Sequence, residues 1–213
     1  MTYIAGGRFN NNPFLMIDSY GEDEKGNGIY SDKVEKITSS QEDLYFCQMG
    51  YTGVKWLILI YNLILDFEKR EINFFDKAEF ISMMDDLSKI VQETGYDTTN
   101  FDENVLFFIS RSDIVKYELH FDSHNKKFHR ISQSIVKNNE CITSNSCRVF
   151  KVNNSNLETF CKSVIKQEMH CTDDLIRYSF LQSDGDKLIY QPSHKSRNDI
   201  INMCFQLGFN KIQ

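Results

Sequence analysis

The stretch TYIAGGRFNNNPFLMIDSYGEDEKGNGIYSDKVEKITSSQEDLYFCQMGYTG, residues 2–53, decides the fold class. YIAGGRF (3–9) and PFLMIDS (13–19) are two short β-type runs around a polar Asn-Asn-Asn turn. An acidic, glycine-rich loop, GEDEKGNG, follows at 21–28. Two more strand-like runs, KVEKITS (33–39) and DLYFCQM (43–49), flank a Ser/Gln/Glu turn. Val34, Ile37, Leu44, Phe46 and Met49 are their candidate inward positions. At Thr52 the pattern changes to a helix running to about Arg70, with Thr52 as its expected N-cap. That helix is apolar almost all round until Asp66.

Beyond it, apolar residues at 78, 80, 81, 84, 87, 90 and 91 mark the buried face of a second helix from Asp76 to about Thr94, stopped by Gly95. NVLFFIS (104–110), DIVKYELHF (113–121) and KKFHRIS (126–132) return to strands. Residues 134–152 carry a weaker pattern, with a candidate strand at CRVFKV (147–152). Leu157, Phe160, Val164 and Ile165 form one stripe of a third helix over 156–169, with Ser155 as the expected cap. A hairpin over 175–182 and 186–191 is expected around a two-residue Asp184-Gly185 turn, then a short helix at 198–207. Helices segregate from strands instead of alternating with them, which disfavours a doubly wound parallel sheet. The expectation is an α+β chain: two antiparallel sheets stacked between helical layers, as one domain over 1–213.

Composition sets exclusions. The chain has 213 residues, 24 Lys+Arg against 30 Asp+Glu, and a formal charge of −6, which argues against nucleic acid as a partner. The longest apolar run, WLILIYNLIL (56–65), is roughly half a membrane span, and no signal-peptide pattern opens the chain. No membrane association is expected. Six scattered cysteines with no CxxC pair fit reduced thiols in a cytoplasmic protein.

The chemistry-bearing residues cluster in the same opening stretch. Removal of Met1 would expose Thr2, which then holds a hydroxyl nucleophile and a free α-amine on one residue. Asp18 ends the second run, Lys33 opens the third, and Gly50 closes the fourth just before the apolar helix.

Thr2, Asp18-Ser19, Lys33-Val34-x-x-Ile37 and Met49-Gly50-x-Thr52 resemble the N-terminal halves of proteasome β subunits and their bacterial relatives of the HslV and Anbu types. The opening Met-Thr-Tyr looks most like the Anbu type. The resemblance implies the N-terminal nucleophile hydrolase fold, a four-layer αββα sandwich. It also implies site roles: Thr2 as nucleophile with its own amine as base, Lys33 lowering the relevant pKa, Asp18 orienting Lys33, and the Gly50 amide as oxyanion hole. The implied activity is hydrolysis of peptide or amide bonds in peptide or protein substrates. No metal or organic cofactor is implied, and the assembly is a homo-oligomer, a ring or a related form. The alternative is an inactive proteasome-like scaffold subunit, and a third reading is a small-molecule amidase.

The resemblance covers roughly the first 60 residues and weakens after them. The family's Gly-Ser-Gly-like turn has no counterpart in ISQSIVKNNECITSN (131–145), where Ser132 and Ser134 are candidates for its serine. The family's Asp-x-x-Ser segment falls on Met169-His170-Cys171-Thr172, with Thr172 in place of the serine. Other signals are weaker. His120, His124 and His129 near Asp122 suggest zinc only if their side chains share a face. The 21–28 loop is acidic and precedes no helix, so it does not suit phosphate. Cys171 is read as structural.

Overall fold

The computed structural model of the protein describes residues 2–22, 28–30, 32–37, 43–50, 52–98, 101–169 and 177–192. β1 (Ile4–Phe9) and β2 (Asn12–Asp18) form the opening hairpin. Its turn places Asn10 and Asn11 at φ 50° and 67°. Two successive left-handed residues match the strand twist, and asparagine tolerates that conformation. β3 (Tyr20–Glu22) and β4 (Gly28–Tyr30) form a two-stranded ribbon in the stretch expected to be a loop. β5 (Val34–Ile37) and β6 (Leu44–Met49) pair as expected, Val34 opposite Cys47.

α1 (Thr52–Glu68) starts one residue earlier than a Thr52 cap requires, since Thr52 is itself helical. α2 (Lys77–Thr94) is bounded as its sequence predicts. Asp76 accepts from the Ala78 and Glu79 amides at 2.8 and 3.0 Å, and Gly95 takes the left-handed C-terminal position at φ 66°. β7 (Glu103–Ile109), β8 (Ile114–Asp122) and β9 (Lys127–Ile135) follow as a meander.

The weakly patterned stretch holds two strands, β10 (Glu140–Thr143) and β11 (Val149–Lys151). α3 (Leu157–Met169) is capped by Asn156, whose Oδ1 accepts from the Thr159 amide at 3.0 Å, and not by Ser155. β12 (Tyr178–Ser183) and β13 (Leu188–Gln191) close the described chain. Their loop spans four residues, because Ser183 already pairs with Leu188 and Asp184 caps the amides of Asp186 and Lys187. The expected helix at 198–207 lies outside the described residues.

The strands assemble into a six-stranded sheet, β11-β10-β1-β2-β12-β13, and a five-stranded sheet, β5-β6-β7-β8-β9. Neighbours pair antiparallel throughout. Alternating side chains point to opposite faces of a strand, so each sheet buries both. On the five-stranded sheet Phe46, Phe108, Val115 and Tyr117 meet the buried residues of α1 and α2. On the six-stranded sheet Phe14, Met16, Cys141 and Phe180 meet Leu157, Cys161, Val164 and Ile165 of α3. The opposite faces, including Ile4, Leu15 and Ile17 against Cys47, Phe107 and Ile114, form the layer between the sheets.

The result is the expected αββα sandwich. At Gly6 of β1 the two sheets lie close together. A Cβ on Gly6 would lie 2.9 Å from Phe107 and from Ile114, so only glycine fits there without moving the opposite sheet. Among the described residues no helix is long and apolar enough to cross a membrane.

Candidate active site

Thr2 precedes β1 by two residues, and even-numbered Ile4 points into the layer between the sheets. The same alternation carries Thr2 to that layer's edge. Backbone bonds hold the entry to β1. The Asp18 amide donates to the Tyr3 carbonyl at 3.1 Å, and the Tyr3 amide donates to Asp18 Oδ1 at 2.7 Å. Lys33, just before β5, reaches across from the other sheet. Its Nζ donates to Thr2 Oγ1 at 3.0 Å and lies 3.4 Å from Asp18 Oδ1. Three of the four residues singled out in the sequence therefore meet at one point.

Burial shapes the electrostatics of this point. The Asp18 side chain is 6% exposed and the Lys33 side chain 15%. Desolvation raises the Asp18 pKa above the ordinary carboxylate value, opposed by the Lys33 charge and by the Tyr3 amide. Desolvation likewise lowers the Lys33 pKa, opposed by Asp18. Each group is penalised by burial and rescued by the other. The Lys33 ammonium is thus held between the Asp18 carboxylate and the Thr2 hydroxyl. The buried Cys47 thiol, opposite Val34, is pushed up by burial and is no nucleophile at neutral pH.

Gly50 follows β6. Extending the β5–β6 register from Val34–Cys47 puts it at the same end of the sheet as Lys33. Its φ of 128° is closed to other residues, and a Cβ there would lie 2.3 Å from Asn104 Oδ1. Asn104 is fully buried. Its Oδ1 accepts from Gln48 Nε2 at 2.6 Å and its Nδ2 donates to the Phe101 carbonyl at 2.9 Å. A buried amide network thus props the backbone at Gly50 from below, and neither Gln48 nor Asn104 carried a motif that sequence reading could catch.

Ser132 and Ser134 are the candidates that the sequence offers for a supporting serine. Both are on β9, where Ser132 contacts Glu118 at 3.3 Å and Ser134 pairs with Lys116. The serines beside the Thr2 strand are on the loop after β10. Ser144 Oγ accepts from the Ile4 amide at 3.1 Å, and the Ser144 amide donates to the Ile4 carbonyl at 2.9 Å. Beyond Ser144 the chain bends, and the Ser146 carbonyl accepts from Lys116 Nζ at 3.2 Å. The signal was available as TSNS (143–146), a polar cluster after a short apolar run, but no glycine drew attention to it.

Asp32 forms a second knot. Its Oδ1 accepts from Ser179 Oγ at 2.8 Å and the Val34 amide at 3.2 Å, and its Oδ2 accepts from the Tyr190 hydroxyl. This ties the β12–β13 hairpin to the residue before Lys33. The segment 170–172 lies outside the described residues, and Cys171 with it.

The histidines do face each other. His120 pairs with His129 across β8 and β9, with ring centroids 6.1 Å apart, while His124 sits in the turn. No third ligand joins them: among the described residues no three His, Cys, Asp or Glu side chains converge.

Two antiparallel sheets stacked between helices form an α+β sandwich, the fold of solved proteasome-like structures. The solved structure of Anbu, the ancestral β-subunit, from Yersinia bercovieri is similar over 99% of this chain and 100% of its own, with a TM-score of 0.56 at 11% identity. Thiobacillus denitrificans BPH in complex with epoxomicin is similar over 68% of this chain and 72% of its own, with a TM-score of 0.48 at 10% identity. No family model matches the sequence, and neither does any curated protein.

Proposed function

We propose that the protein is an N-terminal threonine hydrolase acting on peptide or amide bonds, with Thr2 as the nucleophile once Met1 is removed. The observation that carries the reading is the Lys33 ammonium placed 3.0 Å from Thr2 Oγ1 and 3.4 Å from Asp18. A lysine buried with a carboxylate and aimed at a hydroxyl has a chemical use that a solvated one lacks.

In this reading Thr2 Oγ attacks the scissile carbonyl carbon, and its proton passes to the Thr2 α-amine directly or through water. Lys33 stabilises the negative charge developing on Oγ, and Asp18 keeps Lys33 oriented. The carbonyl oxygen takes the negative charge, and the Gly50 N–H receives it, a contribution of about 3–4 kcal/mol in comparable sites. Collapse breaks the C–N bond, and the leaving amine takes the proton held on the α-amine. Water then cleaves the Thr2 ester by the same route in reverse. The chain's own amine supplies the base, so the reaction needs no cofactor. Ser144, bonded to both polar groups of Ile4, holds the nucleophile's strand in register. The proposed substrate is a peptide or protein and the proposed location cytoplasmic.

The test begins with intact mass, which separates chains with and without Met1, and continues with fluorogenic peptides and a peptide epoxyketone, an electrophile that engages both the hydroxyl and the amine. Thr2→Ala is expected to abolish turnover and labelling while leaving assembly intact. Equal turnover by variant and parent overturns the reading. A parent that has lost Met1 yet resists labelling identifies an inactive scaffold instead.

A further inference from the structure

Outside α1, three large apolar side chains are exposed among the described residues, and two of them line one cleft: Ile135, 72% exposed, and Val149, 48% exposed. Ile135 ends β9 and Val149 begins β11, the outermost strands of the two sheets. The cleft they share has a volume of about 430 Å³, within the ordinary range of small-molecule sites. Buried Ile142 of β10 adds to its apolar wall.

The polar part of the lining is rich in lysine. Lys137 and Lys151 are exposed, while Lys116 is almost wholly buried. The Lys116 ammonium meets Glu118 at 2.6 Å and donates to the Ser146 carbonyl at 3.2 Å. Lys151 pairs with Glu140 at 2.6 Å, and Glu140 is the one carboxylate among the described lining residues. Glu118 and Glu140 are thus each taken up by one lysine. Lys137 leaves the cleft with an excess positive charge, opposite in sign to the chain's net −6.

Wall and charge together select the occupant. A cation is repelled, a bare inorganic anion leaves Ile135 and Val149 in water, and an uncharged aliphatic molecule leaves Lys137 unanswered. An aliphatic chain that ends in a carboxylate meets both demands. We propose that the cleft between β9 and β11 binds an aliphatic carboxylate, its charged group on Lys137 and Lys151 and its chain against Ile135 and Val149. The proposal stands apart from hydrolysis at Thr2, and its test needs no activity.

Cys147 reports occupancy, because its exposed thiol belongs to the lining of the same cleft. On the full-length protein, saturating octanoate is expected to slow alkylation of Cys147, assigned by peptide mass, by roughly tenfold, whereas octylamine leaves the rate unchanged. Shortening the ligand to butyrate is expected to weaken binding by about tenfold or more. Lys137→Glu and Val149→Asp change exposed positions, and each is expected to weaken octanoate binding by roughly tenfold in calorimetry, with an unchanged circular dichroism spectrum. A second arm separates two sources of the same chemistry. A short peptide ending in a leucine carboxylate that displaces octanoate, while its C-terminal amide does not, assigns the site to a peptide terminus. Octanoate binding that the peptide leaves untouched assigns it to a free organic acid. Three outcomes overturn the proposal: Cys147 unprotected by either ligand, phosphate or octylamine protecting it as well as octanoate does, or both variants binding octanoate as the parent does.

Discussion

Lys33 and Lys116 both send their ammonium groups into the layer between the sheets. Lys33 sits just before β5, and Lys116 on the face of β8 opposite its helix-facing neighbours Val115 and Tyr117. Lys116 is the more buried of the two, 2% exposed at the side chain against 15%. It would be the better site candidate if burial alone were the signal. Its partners say otherwise. Lys116 Nζ lies 2.6 Å from a Glu118 carboxylate that is one-third exposed and donates to the Ser146 carbonyl at 3.2 Å. It floors a cleft of about 430 Å³ and braces the loop that carries Ser144, but it meets no nucleophile. Lys33 meets a hydroxyl and a carboxylate that burial has made costly to ionise. A buried lysine is a structural strut or a catalytic cation according to what its three protons face.

The contrast breaks most sharply on the Lys33 side. Lys33→Ala is expected to cut peptide hydrolysis by about 10²–10⁴-fold, since the charge it supplies acts only as the Thr2 oxygen develops its own. Turnover within a few fold of the parent would put Lys33 in the same class as Lys116.

Gly50→Ala comes next. The strained φ and the Asn104 contact are expected to lower stability by about 1–3 kcal/mol, seen as a shifted urea midpoint, with hydrolysis lost beyond what unfolding explains. Lys116→Met is expected to cost about 1–3 kcal/mol while Thr2 labelling stays within a few fold. Loss of labelling at unchanged stability would promote Lys116 from strut to participant.

The smallest effect is a pH slope. Asp18 holds its proton to higher pH in the folded state than in the unfolded one, so on its account stability falls as pH rises above 3.8. Lys33 releases its proton earlier when folded, so on its account stability rises as pH climbs toward 10.5. The double variant Asp18→Asn with Lys33→Met is expected to flatten both slopes in urea midpoints measured across pH.

The sequence exposed what is local and hid what is tertiary. α2 was bounded at both ends because Asp76 and Gly95 act on their own helix. β10 and β11 were faint because three- and four-residue strands leave too short a pattern, and β10 finds its partner β1 far away in the sequence, Ala5 opposite Thr143, with β11 pairing onto β10. Thr2, Asp18 and Lys33 were readable through the resemblance of the opening stretch to proteasome β subunits, whose pattern lies within the first fifty residues. Ser144 and Asn104 were not, since each acts through a backbone group that only the folded chain brings near. The hairpin loop at Asp184-Gly185 was misjudged in length because the Asp184 side chain caps two amides, a device that a dipeptide signal does not encode.

The four cysteines among the described residues give the molecule a built-in clock. Cys47 is sealed between the two sheets, Cys141 and Cys161 between the six-stranded sheet and α3, and Cys147 is open to solvent. An alkylating reagent therefore reads three events in order of difficulty: immediate contact, detachment of α3, and parting of the sheets. With each modified thiol assigned by peptide mass, the rates rank the firmness of the two layer boundaries in one experiment. Because Cys47 lies beside Lys33, the slowest of them also times how often the candidate active site comes apart.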